Sequence, residues 1–438
     1  MRLLVDRFRL RGDLWRNRDF MWLWAAQTVS QFGSQITGLA LPLVAILLLG
    51  ASAFEVAVLG VVEFLPFVLF SLPAGVWVDR LSRRPILIVA DWARGVVLLS
   101  VPIAHFAGVL SIWLLYAVGF VVGVFTVFFD VAYQSYLPAL VQRRELLEGN
   151  SKLEVTRSGA QVAGPGLAGA LVAAITAPYA ILLDAVSFVA SALLLSRIKR
   201  REERIHSEVA VANPRMRAEI AEGLRYVLRH PYLRPSMAYV AIANFFGNMM
   251  FSIFLVYAIR DLRLSAATVG LIFSIGNIGF LLAALAANRL ATRFGIGRTM
   301  IGAAALTGWP FLLVPVAESW EPIPLLLIAL LLGSFGGVTY NVTGISLMQA
   351  ITPDRMLGRM NASRRFVVWG VVPFGSLAGG VLGSTIGLRP TLWIGAVGAS
   401  LAVLPLFFSP LRQIKETSQA EELARPYNES FSVRSAEV

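Results

Sequence analysis

Between Met21 and Ser409 the sequence alternates apolar runs of roughly 20 to 30 residues with short polar breaks. About 20 apolar residues in a helix cross the hydrocarbon of a bilayer. Twelve such runs are present, at 21–50, 54–78, 85–106, 110–137, 153–175, 178–197, 236–260, 266–289, 298–317, 323–350, 365–387 and 390–409. They predict an all-α polytopic membrane protein with spans 1 to 12 in that order. The longer runs must tilt or extend past the bilayer. Prolines inside them (Pro42, Pro66, Pro102, Pro310, Pro373) are tolerable where neighbouring helices satisfy the freed backbone groups.

Composition agrees. Apolar residues make up 57% and charged residues 15%, against about 45–50% and about 25% in soluble domains. The net charge of +12 would suggest nucleic acid only if the basic residues formed a patch on a soluble domain. They lie between apolar runs instead, so no nucleic-acid partner is expected. There are no cysteines, and His105, His206 and His230 are far apart in sequence. No HExxH, nucleophile elbow or phosphate loop is present. The expectation is a protein that is not an enzyme and has no metal and no cofactor. No cleavable signal peptide is expected, because six arginines in the first 20 residues precede a run long enough to span.

The breaks set the orientation. One set of alternate breaks, with both ends of the chain, holds 33 of the 38 Lys and Arg. The other set holds only Arg260, Arg263 and Arg389. Basic residues stay on the cytoplasmic side, so both termini are expected there, in a cell membrane crossed many times.

The longest break, 198–235, divides the spans six and six. The predicted organisation is a cytoplasmic segment 1–20, a bundle 21–197, a linker 198–235 carrying an interfacial helix at 214–229, a bundle 236–409 and a disordered cytoplasmic tail 410–438. The halves are repeats. Gln-Phe-Gly-Ser at 31–34 aligns with Phe-Phe-Gly-Asn at 245–248. In spans 5 and 11, Gly159, Gly164 and Gly169 align with Gly370, Gly375 and Gly380. Asp79-Arg80 aligns with Thr292-Arg293. Doubled halves of this kind place a substrate site at their interface near the midplane.

One stretch between spans 2 and 3 carries a motif. Gly75-x-x-x-Asp79-Arg80-x-Ser82-Arg83-Arg84 resembles the loop motif of the major facilitator superfamily, with Ser82 where glycine is usual. Within that superfamily, Leu137-Pro-Ala-Leu-Val141, Asn150-Ser151 and Gly164-Pro165-Gly166-Leu-Ala-Gly169 are similar to the branch containing the enterobactin exporter and macrolide-efflux proteins. Gly159, Gly164, Pro165 and Gly169 also resemble the helix 5 antiporter motif of drug exporters. The resemblance implies two pseudo-symmetric six-helix bundles, export, and a cytoplasmic gate at Gly75, Asp79, Arg80, Arg83 and Arg84. It would place Asp79 against the N-terminal end of helix 11, where the dipole favours an anion. The sequence departs from the pattern in span 4, where proton-coupled exporters often carry an arginine; 110–137 has no Arg or Lys.

Charges inside spans are functional candidates by default. Glu63 and Asp130 have no basic residue three or four positions away. They are the proton-coupling candidates, each weighed against a structural acid bonded to a neighbouring helix. Asp184 favours the structural reading. Asp91 and Arg94 share a face of span 3, as a structural pair or part of a gate. Gln27, Gln31 and Gln35 form a stripe on span 1, and Asn244 and Asn248 lie in the matching part of span 7. They are substrate-cavity candidates or interhelical hydrogen-bonders. Phe32, Phe245, Phe246, Phe251 and Trp369 are candidate wall residues.

The expected function is export of a small, fairly apolar molecule (drug, macrolide or secondary metabolite) by alternating access and proton antiport. The partners would be that molecule, protons and the lipid bilayer, with the chain acting as a monomer. A siderophore exporter or lysolipid flippase fits the same fold. A non-transporting sensor or scaffold would need a signalling domain, and the linker and tail are too short for one.

Overall fold

The computed structural model describes residues 13–142, 145–200 and 216–436. Among them, twelve helices are long and apolar enough to cross a membrane. Spans 1 to 6 are Arg18–Leu47, Ala53–Arg80, Arg83–Phe106, Ile112–Leu140, Leu146–Ile175 and Ala177–Ser196. Spans 7 to 12 are Leu233–Arg260, Ala266–Phe294, Ile296–Ser319, Pro322–Ile351, Asp354–Thr385 and Leu388–Phe407. Span 9 is interrupted by 3-10 turns from Trp309 onward, where Pro310 lacks the donor an α-helix needs.

Most ends lie within a few residues of the predicted ones. Two differ more. Span 5 starts at Leu146 rather than 153, and span 11 at Asp354 rather than 365. The extra turns are polar (Leu-Leu-Glu-Gly-Asn-Ser-Lys and Asp-Arg-Met-Leu-Gly-Arg-Met-Asn-Ala-Ser-Arg). A hydropathy run ends where they begin, although the backbone remains helical.

Contacts divide the chain into two compact units. Unit 1 comprises residues up to Gly50, Val62–Val211 and Ala266–Gly270; unit 2 comprises Ala51–Val61, Ala212–Ser265 and the chain from Leu271 on. In unit 1, span 1 packs on spans 5 and 6, and span 3 on spans 4 and 6. Leu14, Phe20, Leu23, Leu87, Phe129 and Tyr136 belong to one core cluster there. In unit 2, span 7 packs on spans 11 and 12, and span 9 on span 10.

Two further helices belong to unit 2. Met216–Arg229 is the expected linker helix, but it docks on protein. Glu222 pairs with Arg359 of span 11 at 2.6 Å, and Gly223 sits so close to the Arg359 carbonyl and Ser363 that a Cβ would not fit. Thr417–Ala436 is also a helix, where a disordered tail was expected. Ala420 and Ala424, one turn apart, are fully buried in the core cluster of unit 2. Alanines carry little hydropathy, so their stripe is easily missed among polar neighbours. Asn428 then ties the helix down: it accepts from Tyr226 Oη at 2.7 Å and donates to the Ile351 carbonyl at 3.0 Å.

His230 sits at this junction, fully buried against the rings of Tyr226, Tyr232 and Tyr427. Its Nδ1 accepts from the backbone N–H groups of Tyr232 and Leu233 at 3.2 and 3.3 Å, the first turn of span 7. Burial pushes its pKa down from 6.5 to about 4, because a desolvated imidazole favours the neutral form.

Candidate functional site: buried charges and cavities

Unit 1 buries one ion pair and one hydroxyl-bonded acid. Asp91 and Arg94 lie three residues apart on span 3 and form an ion pair almost wholly removed from solvent. The Arg94 guanidinium is held between the rings of Phe129 and Phe188, 4.3 and 4.2 Å from their centroids. Such stacking contributes about 2 kcal/mol when desolvated. Asp184 of span 6 is fully buried and accepts from Thr37 of span 1 and, at 2.9 Å, from Ser187. Gly33 makes this possible, because a Cβ there would overlap the Asp184 carboxylate and Ser187. These groups tie spans 1, 3, 4 and 6 together.

Glu63 and Asp130 differ. Both are partly exposed, and neither makes a hydrogen bond to any described residue. Arg94 lies close enough to Asp130 to act on it electrostatically. Span 4 lacks an arginine, but span 3 brings one to Phe129 and Asp130. Spacing along a single helix cannot reveal that neighbour.

The Gly75–Arg84 motif is only partly placed. The side chains of Asp79 and Arg80 lie outside the described residues. Gly75 has open space around it, and Arg83 is partly buried. Arg84 donates from Nε to the Leu195 carbonyl at 3.3 Å and from its amino group to the Ser196 carbonyl at 2.5 Å. These are orphan carbonyls at the end of span 6, where a cation is favoured. In the second half Thr292 donates to the Arg289 carbonyl of its own helix at 3.0 Å.

The span 5 residues do three different things. Gly159 has open space, Gly164 receives Gln35 of span 1, and Gly169 lies against the Ala266 carbonyl and Gly270. The Pro165 carbonyl faces Gly270 in the same contact. Gln27, Gln31 and Gln35 do not act as one stripe. Gln27 is buried, Gln35 packs on Gly164 and Gln31 is partly buried. Asn244 and Asn248 donate to carbonyls one turn back, those of Val240 and Asn244, at 2.8 Å each.

Unit 2 contains a cavity of about 370 Å³ whose mostly apolar wall also carries Asn244, Thr307, Tyr340, Asn341 and Arg364. An apolar cavity of about 120 Å³ shares Tyr239, Ala243 and Thr307 with it and is walled by Met250, Phe251, Phe254, Phe273 and Phe311. Of the aromatic wall candidates, Phe251 is here, 68% exposed, in edge contact with Phe273. Phe245 and Phe246 pack on each other edge to face. Phe32 is partly buried and Trp369 exposed. Arg364 was expected in a loop and is instead inside span 11. Among the described residues no cluster of ligating side chains could hold a metal.

A profile described as "Transmembrane secretion effector" matches residues 14–436 of this chain. The chain belongs to that family of the major facilitator superfamily. It is therefore a multi-pass membrane transporter by family. It is 27% identical to the multidrug efflux pump Tap of Mycolicibacterium fortuitum, over 91% of this chain and 97% of Tap. Macrolide efflux protein A of Streptococcus pyogenes is 26% identical over 47% of this chain and 50% of that protein. Among solved structures, a bacterial homologue of the iron transporter ferroportin in the inward-facing state superposes with a TM-score of 0.66 at 19% identity, covering 89% and 98% of the two chains. The nucleoside transporter NupG gives 0.68 at 12% identity, covering 89% and 99%. At these identities the two structures speak for the fold, the twelve-helix major facilitator fold.

Proposed function

We propose that this transporter exports a small, fairly apolar organic molecule across the cytoplasmic membrane by alternating access, in exchange for protons. The observation that carries the direction is the similarity to an efflux pump over 91% of this chain and 97% of that protein. The basic breaks support an orientation with both termini in the cytoplasm. Asp130 is the preferred proton carrier. It is only partly buried, makes no hydrogen bond with any described residue and lies under the influence of Arg94. A carboxylate held that way can exchange a proton without dismantling a packed contact. Glu63 shares the first two properties. Asp91 and Asp184 are engaged in the packing of unit 1 and act as structural acids.

Two measurements test the reading. Efflux of macrolides and other apolar drugs from proteoliposomes should rise when an inward proton gradient is imposed and fall when it is collapsed. Efflux indifferent to the gradient overturns proton coupling, and no efflux across the panel overturns the cargo class. The absence of cysteine makes the orientation simple to read. Single cysteines placed in the basic breaks should resist impermeant thiol reagents added outside whole cells, and one at Ser265 should react.

A further inference from the structure

The larger of these two cavities of unit 2 contains a cation with no counter-charge among the described residues. Arg364 lies ten residues into span 11, about 15 Å along the helix from Asp354. It is partly buried, and its guanidinium makes no hydrogen bond or ion pair with any described residue. The groups that act on it electrostatically are the Tyr340 hydroxyl and another cation, Arg365. Arg94 shows how this chain treats an arginine that serves packing: one carboxylate and two aromatic faces. Arg364 has none of these. A guanidinium carries five donors in a planar fork that matches a carboxylate or phosphate.

The surroundings complete a receptor. Asn341, which lines the same cavity, has an amide that bonds to no described residue. Tyr340 is fixed by donating its hydroxyl to the Ser236 carbonyl at 3.3 Å, and its ring lies 4.2 Å from that of Tyr239. Tyr239 is also part of the aromatic-walled cavity next door. The two compartments together offer an anion fork at one end and an apolar slot at the other.

We infer that these cavities form a binding site for an amphipathic organic anion, with its oxyanion on Arg364 and Asn341 and its apolar body beside Phe251, Phe254 and Phe273. This deepens the export reading and rests on it for the statement that the anion is cargo. The recognising chemistry is shared by a carboxylate and by a lipid phosphate, and the test separates them.

The test compares 2-naphthoate, 2-naphthylmethanol and 2-naphthylmethylammonium, which share a ring system and differ in charge. Equilibrium binding to the full chain in detergent, read by tryptophan fluorescence, should favour naphthoate over the alcohol by about tenfold, the worth of a charge-assisted hydrogen bond. Arg364→Gln should remove that preference, while an unchanged elution volume and far-ultraviolet circular dichroism spectrum show that the variant is folded. Arg364→Lys should retain part of the preference, and Asn341→Ala should reduce it by a few-fold. Equal binding of the three probes to the unaltered chain would overturn the inference, as would a preference for the anion that survives Arg364→Gln. Displacement of naphthoate by phosphatidylglycerol, but not by added benzoate, would assign the fork to lipid and overturn its role in cargo binding. Binding needs no gradient, so its failure is separable from a failure of proton-driven efflux.

Discussion

Arg94 and Arg364 are both arginines within predicted or observed spans, and the chain handles them in opposite ways. In unit 1, Arg94 is enclosed by Asp91, Phe129 and Phe188. In unit 2, Arg364 lines a cavity with its donors unused by described residues. The acids divide the same way: Asp91, paired with Arg94, and Asp184, hydrogen-bonded by Thr37 and Ser187, are fully buried, while Glu63 and Asp130 are partly exposed and bond to no described residue. A charge inside a membrane protein is thus not one kind of feature. A satisfied charge is part of the packing, and replacing it should cost stability. An unsatisfied charge is available to a ligand or a proton, and replacing it should cost function.

The sharpest way to break this division is at Arg94. Arg94→Leu leaves the Asp91 carboxylate buried without its partner, which should destabilise by about 3–5 kcal/mol. Thermal unfolding followed by size-exclusion chromatography should show it as lost folded yield. Asp91→Leu combined with Arg94→Leu should recover much of the loss, since a buried pair is often no better than an apolar pair. If Arg94→Leu is as stable as the unaltered chain, the pair is not structural and the division fails at its strongest point.

Gly33 gives the next effect. Gly33→Ala forces a methyl into Asp184 and Ser187; overpacking of this kind costs up to about 3 kcal/mol. Gly159→Ala is the matched control. Its Cβ meets nothing, and alanine should gain up to about 1 kcal/mol from helix propensity. Melting temperatures of the two variants should move in opposite directions. A drop at Gly159 would mean that this motif glycine is occupied by a contact the open geometry does not contain.

These examples also mark how far the sequence alone was legible. The twelve spans follow from apolar length, and only polar helix ends such as 146–152 and 354–364 escaped, because hydropathy stops where helical hydrogen bonding does not. The tail helix escaped for a related reason: Ala420 and Ala424 bury well but weigh little. The Asp91–Arg94 pair was legible because i,i+3 spacing is local. The stacking of Arg94 on spans 4 and 6 and the cavity around Arg364 were not, since each is assembled from several helices. Counting Arg364 as a topology signal hid it, because a basic residue near a span end satisfies the orientation rule whichever way its side chain points.

His230 adds a smaller effect with a pH dependence. Its folded pKa of about 4 lies below the ordinary 6.5. The neutral form is therefore favoured by folding, and the contribution is complete above about pH 6.5. It is lost as pH falls from 6.5 towards 4, because the unfolded segment takes the proton first. Between pH 7 and pH 5 the loss is about 2 kcal/mol. Hydrogen exchange of the helix at 417–436, corrected for intrinsic rates, should accelerate accordingly at pH 5. His230→Asn can still accept from the Tyr232 and Leu233 N–H groups but cannot titrate, so its exchange should lose the pH dependence. An unchanged pH dependence in that variant would place the titrating group elsewhere.

The smallest expected effect on stability falls on the residue with the largest expected effect on transport. Asp130→Asn removes a charge that bonds to no described residue and keeps the side chain's size. Stability should change by no more than about 0.5 kcal/mol, as for substitutions that break no specific contact. Efflux driven by a proton gradient should fall at least tenfold, while gradient-independent exchange of cargo across the same vesicles persists. Glu63→Gln, run beside it, should leave gradient-driven efflux within a few-fold of the unaltered chain, because no described cation acts on Glu63 as Arg94 acts on Asp130. If the two results are exchanged, Glu63 is the carrier and the nearby guanidinium is not what prepares an acid for the task. If both variants pump normally, accessibility and the lack of a hydrogen bond do not mark coupling acids in this chain.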